Sequence, residues 1–340
     1  MLLDAASVWS KAWPILFAIL FFGVIILIHE LGHFTVAKLS GIKVNEFAIG
    51  MGPKLLSFGK GETKYSLRLI PMGGYVQMEG EDEASEDERA FNQKPVWKRF
   101  LVVIAGAVMN IILGLVLVAI LLTQQNLIGT TQIAGFHENA SSQSSGLQEG
   151  DVITHINGTS VWSDRDISFL MARDRDGVID FTVKRDGQKT ELKNVKFDTR
   201  EVDGQTVITF DFIIIGENKT FWNVLKTSFL ETASMARLVW LSLFDLVTGR
   251  FGLSDLAGPV GTVSVIAEAT TSGGFLNALS LMAFITINIG VFNLLPIPGL
   301  DGGRLFFLII EGIRRKPINP KREGMIHAIG LVLMFALIAV

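Results

Sequence analysis

The chain has 340 residues, no cysteine and only five histidines, with 49% apolar and 19% charged residues, the charged share lying below the roughly 25% of soluble domains. A mean hydropathy of +0.43 excludes a purely water-soluble globule, and a net charge of −3 supplies no basic field for nucleic acid. The missing thiols exclude disulfides, thiolate zinc sites and a cysteine nucleophile.

From Ala12 to Ile28 no residue is charged. As a helix this stretch rises about 25 Å, most of a bilayer core. It lacks the basic start and small-residue cleavage site of a signal peptide, and Asp4 lies upstream, so it reads as a retained first span. At its end stands His29-Glu30-Leu31-Gly32-His33. Helical residues four apart share a face, so both imidazoles reach one metal ion, and Glu30, about a quarter-turn round, can hold a water. The expected metal is Zn²⁺ with three protein ligands and one open position. Ionisable groups inside an apolar span are costly and mark function.

The following loop, Lys38 to Arg99, is rich in Lys and Arg. Within it Tyr65–Met78 alternates in part, and Pro71 with Gly73-Gly74 breaks it into a hairpin-like piece. An exposed edge at Gly73, Gly74 and Tyr75 could bind substrate by strand addition; the alternative is a hairpin that only packs on the spans. Glu79–Glu88 holds seven acids in ten residues and reads as a solvated linker. Phe100–Thr123 is the second span, entered by Lys98 and Arg99. With a second basic loop at Arg314–Arg322, the positive-inside rule makes both loops cytoplasmic. The N-terminus and the block from about Gln125 to Asn218 then lie outside.

In that block Asn157-Gly158 is a strong turn signal, and Ile179–Lys184 and Val207–Phe212 read as strands. His155 reads as an ordinary strand residue. Phe221–Val247 is interrupted by Lys226, Glu231, Arg237 and Asp245 and cannot cross. Trp222, Leu225, Phe229 and Ala233 recur at helical spacing, which predicts an interfacial amphipathic helix, or else a core helix of the outer domain. Ala269–Leu300 is an uncharged third span, and Met325–Val340 a short fourth.

A third ligand must come from outside the motif, because Val36 and Leu39 occupy the positions that an extended HExxHxxGxxH would need. Glu46 and Glu62 lie in the polar loop. Asp301 is favoured, in Asn293-Leu-Leu-Pro-Ile-Pro-Gly-Leu-Asp301-Gly-Gly303, where Pro296, Pro298 and Gly299 open the backbone at membrane depth. The first and third spans both run inward, so Asp301 arrives at the depth of His29 and His33. An extra crossing at Phe221–Val247 would set it about 20–30 Å away.

HExxH in the first span with NLLPIPGLDGG in a later one resembles the site-2 protease family of intramembrane zinc metalloproteases, in its bacterial, regulator-of-sigma-E-protease-like branch. The resemblance implies His29, His33 and Asp301 as zinc ligands, Glu30 as general base and Asn293 as a contact to substrate backbone. Gly106 and Asn110 resemble the family's second-span pattern, which implies a substrate contact for Asn110; helix packing explains the pair almost as well. Gly146–Gly158 (GLQEGDVITHING) resembles a PDZ signature, present once here where well-known members have two. The DGGH-like ending reads Asp-Gly-Gly-Arg304.

The expected fold is a polytopic α-helical membrane protein with four transmembrane helices, a cytosolic membrane-associated β-hairpin region and an inserted extracytoplasmic PDZ domain of β-rich α+β type. Residues 1–124 carry spans one and two, with the β-loop at about 40–98; 125–218 form the PDZ domain; 219–268 form amphipathic interfacial helices; 269–340 carry spans three and four. The resemblance implies a bacterial cytoplasmic-membrane enzyme whose partners are the lipid bilayer and single-span proteins. These substrates are anti-sigma-factor-like proteins already cut outside, or leftover signal peptides. The competing class is a PDZ-bearing adaptor with a structural metal site, which has no need of Glu30.

Overall fold

The computed structural model describes residues 5–81, 83–202, 205–249, 274–318 and 320–339. In chain order its elements are α1 (Ala5–Leu39), β1 (Val44–Phe58), β2 (Lys64–Met78), α2 (Val96–Gln124), β3 (Leu127–Phe136), α3 (Ser141–Ser144), β4 (Val152–Ile156), β5 (Thr159–Ser160), α4 (Asp164–Ala172), β6 (Val178–Arg185), β7 (Gln188–Lys196), β8 (Thr199–Val202), β9 (Gln205–Ile208), β10 (Phe212–Asn218), α5 (Phe221–Val247), α6 (Gly274–Phe292), α7 (Asp301–Arg314) and α8 (Pro320–Ala339). Two compact units result: Met1–Leu117 with Leu238–Val340, and Val118–Arg237.

In the first unit, Leu16–Leu39, Val96–Gln124 and Gly274–Phe292 are helices long and apolar enough to cross a membrane. The protein is therefore built as a membrane protein with a β-rich region. The first helix continues through His29–His33 to Leu39, so the motif lies within it and not at its end. The continuous stretch expected up to Leu300 stops instead at Phe292, and 293–300 are irregular before α7 begins at Asp301. Two prolines and a glycine account for the break, and the separate helix α7 is an element that the sequence reading lacked. Residues 269–273 of the expected third span, and 250–268 of the expected interfacial helices, lie outside the described residues. In α8, among the residues whose side chains are described, the apolar stretch is Glu323–Leu333, shorter than a span. Helix α5 is 27 residues of continuous helix and is not among the three long apolar ones.

The loop after α1 is a larger sheet than one hairpin. Residues 46–49 have partners on both sides: Ile49 faces Gly74 and Leu67, and Ala48 faces Tyr75 and Ser66. On the far side Ser57 faces Ser66 and Phe58 faces Tyr65. Strands β1 and β2 thus fold back at 50–53 and 70–73 into four short segments, with 74–78 forming one edge. The expected break at Pro71 and Gly73 is this bend. Val44, Phe47 and Val76 share a core with Ala37 of α1, Val102 of α2 and Leu305 of α7. The acidic run, expected as a solvated linker, is tied down in part: Glu79 accepts from Asn45 Nδ2 at 2.9 Å and Ser85 Oγ at 2.7 Å, and Arg304 donates to Glu81.

The second unit holds a six-stranded sheet in the order β10-β3-β4-β6-β7, with β5 paired to β4. Its core includes Ile133, Leu147, Ile153, Phe181 and Met171, all almost wholly buried. Asn157 (φ 47°) and Gly158 (φ 75°) make the tight turn between β4 and β5, as their dipeptide predicts. The Val207–Phe212 run is not one strand: β9 ends at Ile208 and β10 begins at Phe212. Asp211 accounts for the gap, because its carboxylate turns to accept from the Ser142 N–H and hydroxyl at 2.9 and 2.7 Å.

Candidate metal centre and active site

Helix α1 presents His29 and His33 on one face with their rings edge to face, centroids 4.8 Å apart. Asp301, the first residue of α7, meets them: its Oδ2 lies 3.2 Å from His29 Nε2 and 3.3 Å from His33 Nε2, while the two Nε2 atoms are 3.1 Å apart. Among the described residues this is the one cluster of three His, Asp or Glu side chains able to hold a metal ion. The polar-loop alternatives are engaged elsewhere. Glu46 accepts from Ser66 and Arg68, and Glu62 bonds Lys38 at 2.7 Å.

The histidine partners settle what the triangle is made of. His33 Nδ1 lies 2.8 Å from the Val102 carbonyl oxygen, which can only accept, so Nδ1 carries the proton and Nε2 a lone pair. His29 Nδ1 lies 3.3 Å from the amide of Asn110, a wholly buried residue whose Oδ1 has no partner. Exchanging the amide oxygen and nitrogen, which have the same shape, lets Oδ1 accept from His29 Nδ1–H and turns a second lone pair inward. Asp301 Oδ2 is itself buried without an aligned hydrogen bond. Three lone-pair atoms at 3.1–3.3 Å repel one another unless a cation lies among them. Ligands at about 2.0–2.1 Å from tetrahedral zinc stand about 3.3–3.4 Å apart, so the donor set fits the ion in chemistry and in size.

Glu30 follows His29 on α1, and a β-carbon on Gly74 would lie 3.1 Å from Glu30 Cγ. The 74–78 edge therefore passes directly beside the motif glutamate. Tyr75 accepts from Arg68 at its hydroxyl, with the guanidinium 5.0 Å from its ring. Gly73, in the bend, has φ 90°. Asn293 sits in the helix break, its carbonyl accepting from the Gly302 N–H at 2.7 Å and bracing the turn into Asp301. Arg304 does not join the triangle; it pairs with Glu81.

A His-His-Asp triangle among apolar helices of membrane-crossing length is the geometry of a membrane-embedded metallohydrolase. Residues 17–337 match the profile of Peptidase family M50. The chain is 40% identical over 327 residues, 96% of its length and 95% of the relative's, to a candidate zinc metalloprotease of Clostridium acetobutylicum. It is 37% identical over 324 residues to another from Clostridium perfringens, covering 95% of each chain. Over 404 residues it is 31% identical to the regulator of sigma-W protease RasP of Bacillus subtilis, again covering 95% of each. The chain belongs to peptidase family M50, the site-2 proteases, and is a zinc metalloprotease.

Proposed function

We propose that this protein is an intramembrane endopeptidase in which His29, His33 and Asp301 hold the zinc and Glu30 is the general base. The observation that carries the reading is the triangle of 3.1, 3.2 and 3.3 Å. Zinc supplies Lewis-acid polarisation of water and of the scissile carbonyl. Glu30 accepts a proton from the attacking water as its oxygen bonds to the carbonyl carbon, then passes the proton to the amide nitrogen as the C–N bond breaks. Asn110 turns His29 toward the metal; its complete burial and its contact with His29 support that role in place of substrate contact.

The substrates are single-span membrane proteins held extended, since a peptide bond inside a helix is shielded. Gly74 and Tyr75 take them by strand addition on the 74–78 edge, Gly73 in the adjoining bend receives them, and Asn293 holds their backbone; the nearness of Gly74 to Glu30 supports this arrangement. The name of the Bacillus subtilis relative supports anti-sigma-factor-like substrates, with leftover signal peptides as a second class. The basic loops support a bacterial cytoplasmic-membrane protein with α8 as its fourth span and residues 125–218 as an extracytoplasmic PDZ domain. Helix α5 lies in the interface: Phe221 and Trp222 are each 73% exposed while Glu231 and Ser234 are buried, the reverse of a helix in water.

The test is zinc content and cleavage in detergent for wild type, Glu30→Gln and Asp301→Ala. Stoichiometric zinc in wild type and Glu30→Gln, no cleavage by Glu30→Gln, and loss of zinc in Asp301→Ala are expected. Full cleavage by Glu30→Gln overturns the base assignment, and zinc retained by Asp301→Ala overturns the ligand set. A wild type without zinc revives the adaptor reading.

A further inference from the structure

The helix break that presents Asp301 leaves backbone groups without helical partners, and each needs one when buried. Gly299, at φ 99°, gives its N–H to His327 Nδ1 at 2.9 Å. An imidazole nitrogen facing an N–H must accept, so Nδ1 holds the lone pair and Nε2 the proton. The ring stands on α8, its centroid 5.7 Å from Phe307 of α7, and its Cε1 would lie 3.1 Å from a β-carbon on Gly303. Three residues further along α8, a β-carbon on Gly330 would lie 2.2 Å from the Pro298 carbonyl oxygen, and the Leu331 nitrogen would lie 3.2 Å from one on Gly299. Residues 327, 330 and 331 share a helix face. That face is laid directly on the turn from Pro298 to Gly303, with Asp301 at its centre.

We propose that His327 is a positioning residue for the zinc site: it accepts the N–H that the helix break leaves at Gly299 and so fixes Asp301, two residues on, against His29 and His33. This rests on the reading of Asp301 as a zinc ligand. The last helix thereby becomes part of the metal site although it supplies no ligand. Whatever lifts α8 from the turn releases the carboxylate, and by reciprocity zinc bound at Asp301 holds α8 down. Nothing about His327 as a lone histidine in an apolar block announces this; its donor, the Gly299 N–H, lies 28 residues away in sequence.

The experiment measures zinc affinity by chelator competition on the full-length protein in detergent, with thermal unfolding alongside. His327→Phe keeps the ring's bulk and loses the acceptor. His327→Asn puts an amide oxygen where Nδ1 stands. The expected result is zinc binding weakened about 10- to 100-fold in His327→Phe, the range for lost outer-shell partners, and most of it restored in His327→Asn. Unchanged affinity in His327→Phe, with zinc lost from Asp301→Ala, overturns this inference alone. Zinc retained by Asp301→Ala overturns the ligand reading beneath it. Equal loss in both His327 variants, with an equal fall in thermal stability, overturns the hydrogen-bond role and leaves His327 a packing residue.

Discussion

A β-carbon on Gly106 would lie 2.3 Å from His33 Nε2 and 2.7 Å from His29 Cε1. The bare backbone of α2 is thus the wall against which the imidazole pair is set, and any side chain there enters the space where the lone pairs converge. Gly106→Ala is expected to lose zinc and cleavage while keeping its far-UV helix signal, because Ala favours a helix over Gly by about 1 kcal/mol. Zinc content and circular dichroism on the same sample check this. A zinc-replete Gly106→Ala would show that the wall yields.

Gly74 stands on the other side of the site, and its effect should differ. A β-carbon there would lie 3.0 Å from the Ala48 carbonyl oxygen and 3.1 Å from Glu30 Cγ, so Ala at this position must push the edge strand or the glutamate by a few tenths of an ångström. A 1 Å misplacement can cost about 100-fold in rate, and a shift of this size about tenfold. Gly74→Ala is expected to cut kcat on a single-span test substrate about that much, with zinc content unchanged. Loss of zinc in this variant would mean that the strand supports the metal and not the base.

The convergence of His29, His33 and Asp301 was legible in the sequence because its parts are local signals. Four-residue spacing puts two histidines on one helix face, and Pro296, Pro298 and Gly299 announce a broken helix ahead of Asp301. The transverse relations were not legible. The pairing of Glu46–Ile49 with both 64–67 and 74–78 depends on register between segments that the chain separates, and only the later half carried a visible alternation. Helix α7 was hidden inside what reads as polar loop and apolar block, because its polar residues are turned inward: Glu311 is largely buried against Arg99 and Arg304 pairs with Glu81, on the face that also carries buried Leu308, while Phe306 and Ile309 are exposed. Asn110 carried a pattern but not a role, since its contact with His29 spans 81 residues.

Glu46 gives the sheet a pH dependence that can be isolated. Burial alone would raise its carboxyl, but hydrogen bonds from Ser66, Lys54 and Arg68 outweigh it and hold the group at about 2, below the ordinary 4.5. A depressed folded-state value means stability that is complete above 4.5 and lost as pH falls through 4.5 towards 2. Thermal unfolding at steps between pH 6 and pH 3 should therefore show wild type losing more stability than Glu46→Gln over that window. Parallel curves for the two proteins would remove Glu46 as a source of the acid sensitivity.

In the second unit, helix α5 is fastened by an ion pair whose carboxylate has no access to water. Asp166 is wholly buried, accepting from the Trp162 and Ser163 N–H groups at 2.6 and 3.2 Å and from the Ser234 hydroxyl. Arg237 of α5 lies 2.9 Å from its Oδ2, stacks 4.1 Å over the Trp162 ring and donates to the Ser160 carbonyl at 2.7 Å. Removing the arginine leaves a buried carboxylate uncompensated, which costs about 3–5 kcal/mol. Arg237→Lys keeps the charge but not the planar stack or the two-sided reach, so it should fall between wild type and Arg237→Ala. The exposed pair Lys189–Glu191 is the internal control, because such pairs contribute about 0–1 kcal/mol. Unfolding of the Val118–Arg237 unit, followed by protease susceptibility over a denaturant series, should place Arg237→Ala far below Lys189→Ala. Equal effects of the two would mean that α5 is held by its apolar contacts and the buried pair is incidental.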